Sequence, residues 1–114
     1  MRLTLCTGMA GLLLMGCGAA PDAATLRGQR LLAQYQCGNC HAIPDVPASR
    51  GRIGPPLAKL GQRSYISGEI PLRLDTLARW IEEPAALVPG TQMPDMGASE
   101  ADARDMAAYL LALK

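Results

Sequence analysis

Two cysteines separated by two residues and followed at once by a histidine concentrate the reactive chemistry of this 114-residue sequence, in Cys37-Gly38-Asn39-Cys40-His41. A dithiol redox pair at that spacing normally sits in a βαβ setting, and no strand-like run precedes Cys37. A zinc site needs four ligands, and beyond the N-terminal segment only Cys37, Cys40, His41 and Cys17 are on offer. A structural disulfide across two residues would be strained and would leave His41 without a role. The pattern that uses all three side chains is c-type haem attachment. Two thiols on one helical turn form thioethers to the two vinyl groups of one porphyrin, and the adjacent imidazole is placed under the iron. Gly38 and Asn39 are small, so the macrocycle is expected to lie close to the backbone.

His41 is the sole histidine of the chain, so a second imidazole from the same molecule is excluded. The sixth position falls to a thioether, an amine, water or nothing. Once an export signal is removed, the thioethers are Met93, Met96 and Met106. Met106 belongs to the apolar stripe of the last helix and is expected in the core. Met93 lies in Pro89-Gly90-Thr91-Gln92-Met93-Pro94, a proline-flanked loop that holds a side chain out at low entropy cost. It is the expected axial ligand, with Met96 as the spare.

The first residues read as a signal, not as fold. Arg2 is followed by no charge until Asp22, and Leu3–Met15 is apolar but short of the ~20 residues of a bilayer crossing. Leu14-Met15-Gly16-Cys17 resembles a bacterial lipobox, which predicts a signal over residues 1–16, removal of Cys6 with it, and lipidation of Cys17. Ordinary cleavage nearby and an uncleaved anchor are the competing outcomes. Acyl chains contribute ~0.8 kcal/mol per buried methylene, so several give stable attachment to a membrane.

Composition narrows the rest. Hydrophobic residues make up 49% of the chain, which argues against a disordered tail, while aromatics are only 4% with no Phe. So small a domain with so few large side chains needs apolar bulk from elsewhere, and a haem would supply it. Eleven basic against ten acidic residues argue against nucleic acid as a partner. Eight basic residues face three acidic ones between Arg27 and Arg79, and six acidic residues face Arg104 alone between Glu82 and Asp105. That asymmetry reads either as ordinary solvation or as a dipole that orients the molecule during docking.

The elements that must hold these groups are helical. Residues 17–24 read as a flexible tether, and Thr25 as the cap of a helix with Leu31, Leu32 and Tyr35 on one stripe. Gly28 inside it costs ~1 kcal/mol relative to Ala, which implies close approach by another element. Residues 42–73 are dense in Pro and Gly, giving loop with one short helix near Leu57–Leu60. A second helix starts at an Asp75 cap, carries Leu77, Trp80 and Ile81, and stops by Pro84, after which residues 84–97 are loop. The last helix opens on Ser99-Glu100-Ala101-Asp102 and repeats Met106, Tyr109, Leu110 and Leu113. No strand-like alternation persists, so the class is all-α with long loops.

With these residues in place, 25–114 resembles a class I, mono-haem cytochrome c: three to five helices wrapped around one covalent haem. Gly28 to Leu32 resembles the family's first helix, which crosses the C-terminal helix tightly near Tyr109. Gly54-Pro55-Pro56-Leu57 resembles its G-P-x-L loop, which implies that the Pro55 carbonyl accepts the second imidazole N–H of His41. Leu77-x-x-Trp80-Ile81-x-x-Pro84 and the Met93 loop match its later helix and ligand loop. With Arg63-x-Tyr65-Ile66-x-Gly68, they are similar to the cytochrome domain attached to subunit II of caa3-type oxidases. Trp80 is expected against the macrocycle, and Arg63 and Tyr65 either near the propionates or simply at the surface.

The implied function is single-electron transfer through a His41/Met93-ligated haem c, not substrate chemistry. The implied partners are a quinol-oxidising complex as donor and a haem–copper oxidase as acceptor, on the periplasmic side of a bacterial membrane. Two alternatives stay open: a haem enzyme or gas sensor with a displaceable sixth ligand, and a fixed electron-input subunit.

Overall fold

The computed structural model describes residues 18–114; Cys17 and the expected signal lie outside the described residues. Four helices follow in order: α1 (Ala23–Gln34), α2 (Leu74–Glu82), α3 (Pro84–Leu87) and α4 (Glu100–Ala112). A two-stranded antiparallel ladder, β1 (Tyr65–Ile66) and β2 (Ile70–Pro71), precedes α2. Single 3₁₀ turns lie at Cys37–Asn39 and Leu60–Gln62. Among the described residues no helix is long and apolar enough to cross a membrane.

The expected all-α class with long loops holds, with corrections at the ends of elements. Helix α1 begins two residues before Thr25, because Asp22 Oδ1 accepts the Thr25 N–H at 2.8 Å. Asp is as good a cap as Thr, and Ala23 and Ala24 are the strongest helix formers, so they join the helix rather than the tether. Helix α2 starts at Leu74, not behind an Asp75 cap. Thr76 reaches back, its Oγ1 accepting the Arg73 N–H at 3.0 Å and donating to the Pro71 carbonyl at 2.6 Å. Asp75 instead sits in the first turn, where negative charge suits the helix dipole.

Pro84 does end α2, but it also opens α3 within a stretch expected to be loop, because proline at the first helical position forfeits no bond. The short helix expected near Leu57–Leu60 is displaced to the 3₁₀ turn that starts at Leu60. The β1–β2 ladder, two residues per strand, is too short to show alternation. Its reversal uses left-handed Ser67 (φ 51°) and Gly68 (φ 78°) in succession.

Helices α1 and α4 cross, and α2 packs against α4. Leu31 and Leu32 from α1, Leu77 and Ile81 from α2, and Met106 and Leu110 from α4 form the centre of the core. Met106 is fully buried and takes the core place expected of it. Burying a side chain of that size contributes about 1.5–3 kcal/mol.

The crossing depends on Gly28. A Cβ there would stand 1.9 Å from the Asp105 carbonyl oxygen and 3.0 Å from the Met106 nitrogen. The point of contact is therefore one turn before Tyr109. Tyr109, itself buried, serves a different neighbour: its hydroxyl donates to the Pro44 carbonyl at 2.7 Å and ties down the loop after His41.

A polar cluster seals the same pair of helices. Arg27 donates to Asp102 and, at 2.8 Å, to Asp105, while the Tyr35 hydroxyl donates to Asp102 at 2.6 Å. Arg27 comes from the basic half of the sequence and both carboxylates from the acidic half, so the charge asymmetry is partly cancelled inside the fold. At the other end of α4 the chain is stitched to the loop beneath the cleft. Gly61 N–H donates to the Leu113 carbonyl at 2.8 Å, and Lys114 Nζ donates back to the Gly61 carbonyl at 3.1 Å.

Two outcomes follow from this crossing. Gly28→Ala gains up to ~1 kcal/mol of helix propensity but drives a methyl into backbone, so denaturant titration of the mature protein should show a net loss of about 2 kcal/mol. The Asp102 carboxyl is held below the usual carboxylate range, first by the Tyr35 hydroxyl and then by Arg27. A carboxyl depressed in the folded state stabilises fully above its unfolded pKa, ~3.9, and that contribution disappears as pH falls through the folded value. The denaturation midpoint should therefore drop on acidification below about pH 4, and Asp102→Asn should start lower and show a shallower drop.

Candidate haem site

The first helix delivers the cysteines. Gln36 adopts a left-handed conformation (φ 59°) after α1, and the chain tightens into the 3₁₀ turn that carries Cys37. The turn continues to His41, whose N–H donates to the Cys37 carbonyl at 3.0 Å. Cys37, Cys40 and His41 are all half-buried. Burial pushes the Cys37 thiol up.

Segment 49–51 clamps this turn from one side. A Cβ on Gly38 would meet Ser49 Oγ at 2.3 Å, and one on Gly51 would meet the Cys40 carbonyl carbon at 2.4 Å. The Gly51 N–H donates to the Gly38 carbonyl at 2.9 Å. The small residue at position 38 is required by packing against Ser49, and Asn39 lines the cleft.

A second clamp sets the histidine. In Gly54-Pro55-Pro56-Leu57 the two prolines have no N–H, so only Gly54 and Leu57 can donate from the backbone. Gly54 donates to the Cys40 carbonyl at 2.8 Å and Leu57 to the Ala42 carbonyl at 2.9 Å, one on either side of His41. Between them the Pro55 carbonyl lies 2.7 Å from His41 Nδ1. A carbonyl only accepts, so Nδ1 carries the proton and Nε2 keeps a free lone pair. Gly54 lies against the ring, with an added Cβ only 2.4 Å from His41 Cε1.

These elements surround a cleft of about 540 Å³, within the range of small-molecule and cofactor pockets. Cys37, Cys40, His41, Pro55, Trp80 and Met93 all line it, as do Arg63 and Tyr65. The site residues expected from the sequence within the described chain are thus brought together. Met93 is half-buried, its N–H donating to Thr91 Oγ1 at 3.3 Å; Met96 lines the lip and is 40% exposed. Trp80 is half-buried and Tyr65 is 55% exposed. Arg63 directs a guanidinium N–H to the Pro56 carbonyl at 2.6 Å, a partner the sequence did not suggest.

Sequence reasoning missed much of the apolar lining. Leu57 and Leu60 lie in or beside a single short turn with too few residues to reveal a face, and Met106 and Leu110 show a stripe without saying what it faces. Ile53, 82% exposed at the cleft, carried no signal at all.

The donor set fits a haem better than a bare ion. Among the described residues no three His, Cys, Asp or Glu side chains converge as a metal-ion site. Two thiols, an imidazole with Nε2 free and a thioether border a mainly apolar cleft, and Gly54 leaves room for the ring. Comparison with known proteins agrees. The family model for cytochrome c matches residues 25–114. The chain belongs to the cytochrome c family, whose Cys-x-x-Cys-His signature, here Cys37 to His41, implies covalent haem c.

Two curated relatives are more particular. The chain is 30% identical over 94 residues to cytochrome c oxidase subunit 2 of Bacillus subtilis (strain 168), covering 77% of this chain and 26% of that protein. It is 32% identical over 91 residues to cytochrome c oxidase subunit 2 of Alkalihalophilus pseudofirmus, covering 77% of this chain and 25% of that protein. The chain thus spans about a quarter of the length of these relatives.

Gly54→Ala should displace the imidazole it supports. Coexpression with a haem-attachment system should yield Gly54→Ala protein with a lower ratio of bound haem to chain, or a high-spin ferric spectrum, while Gly18→Ala, in open space, should retain the wild-type spectrum.

Proposed function

We propose that this domain carries single electrons through one haem c, bonded through Cys37 and Cys40 and ligated by His41 and Met93. When bound, the haem supplies an iron that changes oxidation state by one electron with no bond made or broken in a substrate. The observation that carries the reading is the hydrogen bond of His41 Nδ1 to the Pro55 carbonyl, on the wall of the same apolar cleft that holds both thiols and Met93.

Each protein group has a definite task. The Pro55 carbonyl fixes the tautomer of His41 and strengthens it as a donor. Met93, as a neutral thioether, favours the ferrous state and raises the potential. Its proline-flanked loop limits movement between oxidation states. Trp80 supplies aromatic surface to a core otherwise poor in it, and Tyr65 lies at the lip where propionates would face water. Core residues Met106 and Leu110 contribute to the cleft lining, so haem binding and fold stability are linked, and loss of the group should unfold the domain.

The oxidase subunits among the relatives support a haem–copper oxidase as acceptor; a quinol-oxidising complex is the donor in this proposal. They equally favour a fixed electron-input module over a free carrier. Stoichiometric co-purification from detergent extracts would decide for the module, and turnover restored by added soluble domain for the carrier. Lipidation at Cys17 on the periplasmic face of a bacterial membrane completes the proposal, raising the effective concentration at the partner. Mass spectrometry of the membrane-extracted protein should find an acylated N-terminal cysteine.

The decisive experiment is optical. The mature ferric protein should show the weak far-red band of thioether ligation, and its ferrous form should resist carbon monoxide. Met93→Ala should lose the band and bind carbon monoxide stoichiometrically, whereas Met96→Ala should behave as wild type. Rapid carbon monoxide binding by the native protein would defeat the carrier reading in favour of a ligand-binding haem protein.

A further inference from the structure

Arg63 was expected either near a haem propionate or at the surface; it is exposed, borders the cleft, and also has a partner within the chain. Its guanidinium donates to the Pro56 carbonyl at 2.6 Å. The Pro56 carbonyl is one residue from the Pro55 carbonyl that receives His41 Nδ1 at 2.7 Å. The two prolines cannot donate, so the segment between Gly54 and Leu57 hangs on few bonds. The backbone holds its two ends, Gly54 to Cys40 and Leu57 to Ala42. Arg63 is the side chain that grips its middle.

Arg63 is itself well placed to do so. Its backbone N–H donates to the Leu60 carbonyl at 2.9 Å, closing the 3₁₀ turn. That turn is fixed in turn by Gly61, whose N–H holds the Leu113 carbonyl and whose Cα packs so closely on α4 that a Cβ would meet the Leu111 oxygen at 2.1 Å. A rigid line thus runs from the end of α4 through the 60–63 turn and the guanidinium to the peptide beside the histidine's acceptor. Hydrogen bonds from a charged donor are shorter and about twice as strong as neutral ones.

We propose that Arg63 is a positioning residue for the haem ligand: it holds the Pro55–Pro56 segment so that the Pro55 carbonyl keeps the His41 Nδ1 proton. This deepens the electron-carrier reading and rests on it. The role differs from a general effect of positive charge near the iron, because Arg52, exposed on the same loop, shares the charge but not the contact.

The test uses the mature, haem-bearing protein in its ferrous, diamagnetic state. Proton NMR follows the solvent exchange of the His41 Nδ1 proton in wild type, Arg63→Leu, Arg63→Lys and Arg52→Leu, with reduction potentials measured alongside. Arg63→Leu should accelerate exchange about tenfold or more, as loss of a charge-assisted bond predicts. Arg63→Lys, which keeps a donor without the planar fork, should fall between it and wild type. Arg52→Leu should change the potential through charge alone and leave exchange at the wild-type rate.

Exchange in Arg63→Leu that matches Arg52→Leu overturns the proposal. If Arg63→Leu does not mature, wild-type exchange in Arg63→Lys overturns it instead. A wild-type chain that matures without haem overturns the electron-carrier reading itself, and this assignment with it, so the two failures are distinguishable from the wild-type spectrum.

Discussion

A single hydrogen bond decides what the imidazole can be. As long as Nδ1 gives its proton to the Pro55 carbonyl, Nε2 presents a lone pair in one fixed orientation. Everything nearby defends that arrangement. Two prolines remove competing donors, and the amides on either side of them go to Cys40 and Ala42, which flank the histidine in sequence. A glycine leaves room for the ring, and segment 49–51 holds the cysteine turn in place. The loop between the cysteines and α2 has little regular structure, yet it is closely determined, because backbone bonds and glycine contacts replace the ladders it lacks.

The helices supply the frame on which that loop is stretched. Gly28 lets α1 lie on the backbone of α4, and the Arg27–Asp102–Tyr35 cluster closes the edge of the same interface. These are partly exposed charges whose value lies in register more than in energy, since exposed pairs contribute little. The packing of Leu32 against Met106 and its neighbours carries the stabilisation. Division of labour follows: apolar contact provides the stability, and the polar cluster selects which turn of α4 faces Gly28.

Much of the site was legible from residue types alone. The cysteine–histidine run, the absence of a second histidine and the proline-flanked Met93 needed no coordinates. Ser99 as a cap and Met106 as core were equally plain, because capping chemistry and a 3.6-residue period are local. What was not legible depended on contacts distant in sequence, or on close alternatives. Asp22 outcompeted Thr25 although both are good caps. Thr76 reached back to Arg73 because Pro71 was within range of its hydroxyl. Pro84 could end one helix and begin another with equal ease. Gly38 has its reason in Ser49, eleven positions away, and Arg63 in Pro56, across the turn that ends at Gln62.

The pairing of α1 with α4 also orders events in time. Arg27 meets Asp102 and Asp105 across separations of 75 and 78 residues, so the walls contributed by Met106 and Leu110 come from a helix far in sequence from the cysteine turn. The cysteine turn, by contrast, is complete by His41. Both sulfurs can therefore be presented on an open half-cleft before the last helix docks to close it. A domain that must accept a bulky planar guest through covalent chemistry gains a natural interval for doing so when the helix that closes the cleft lies far in sequence from the turn that bears the sulfurs.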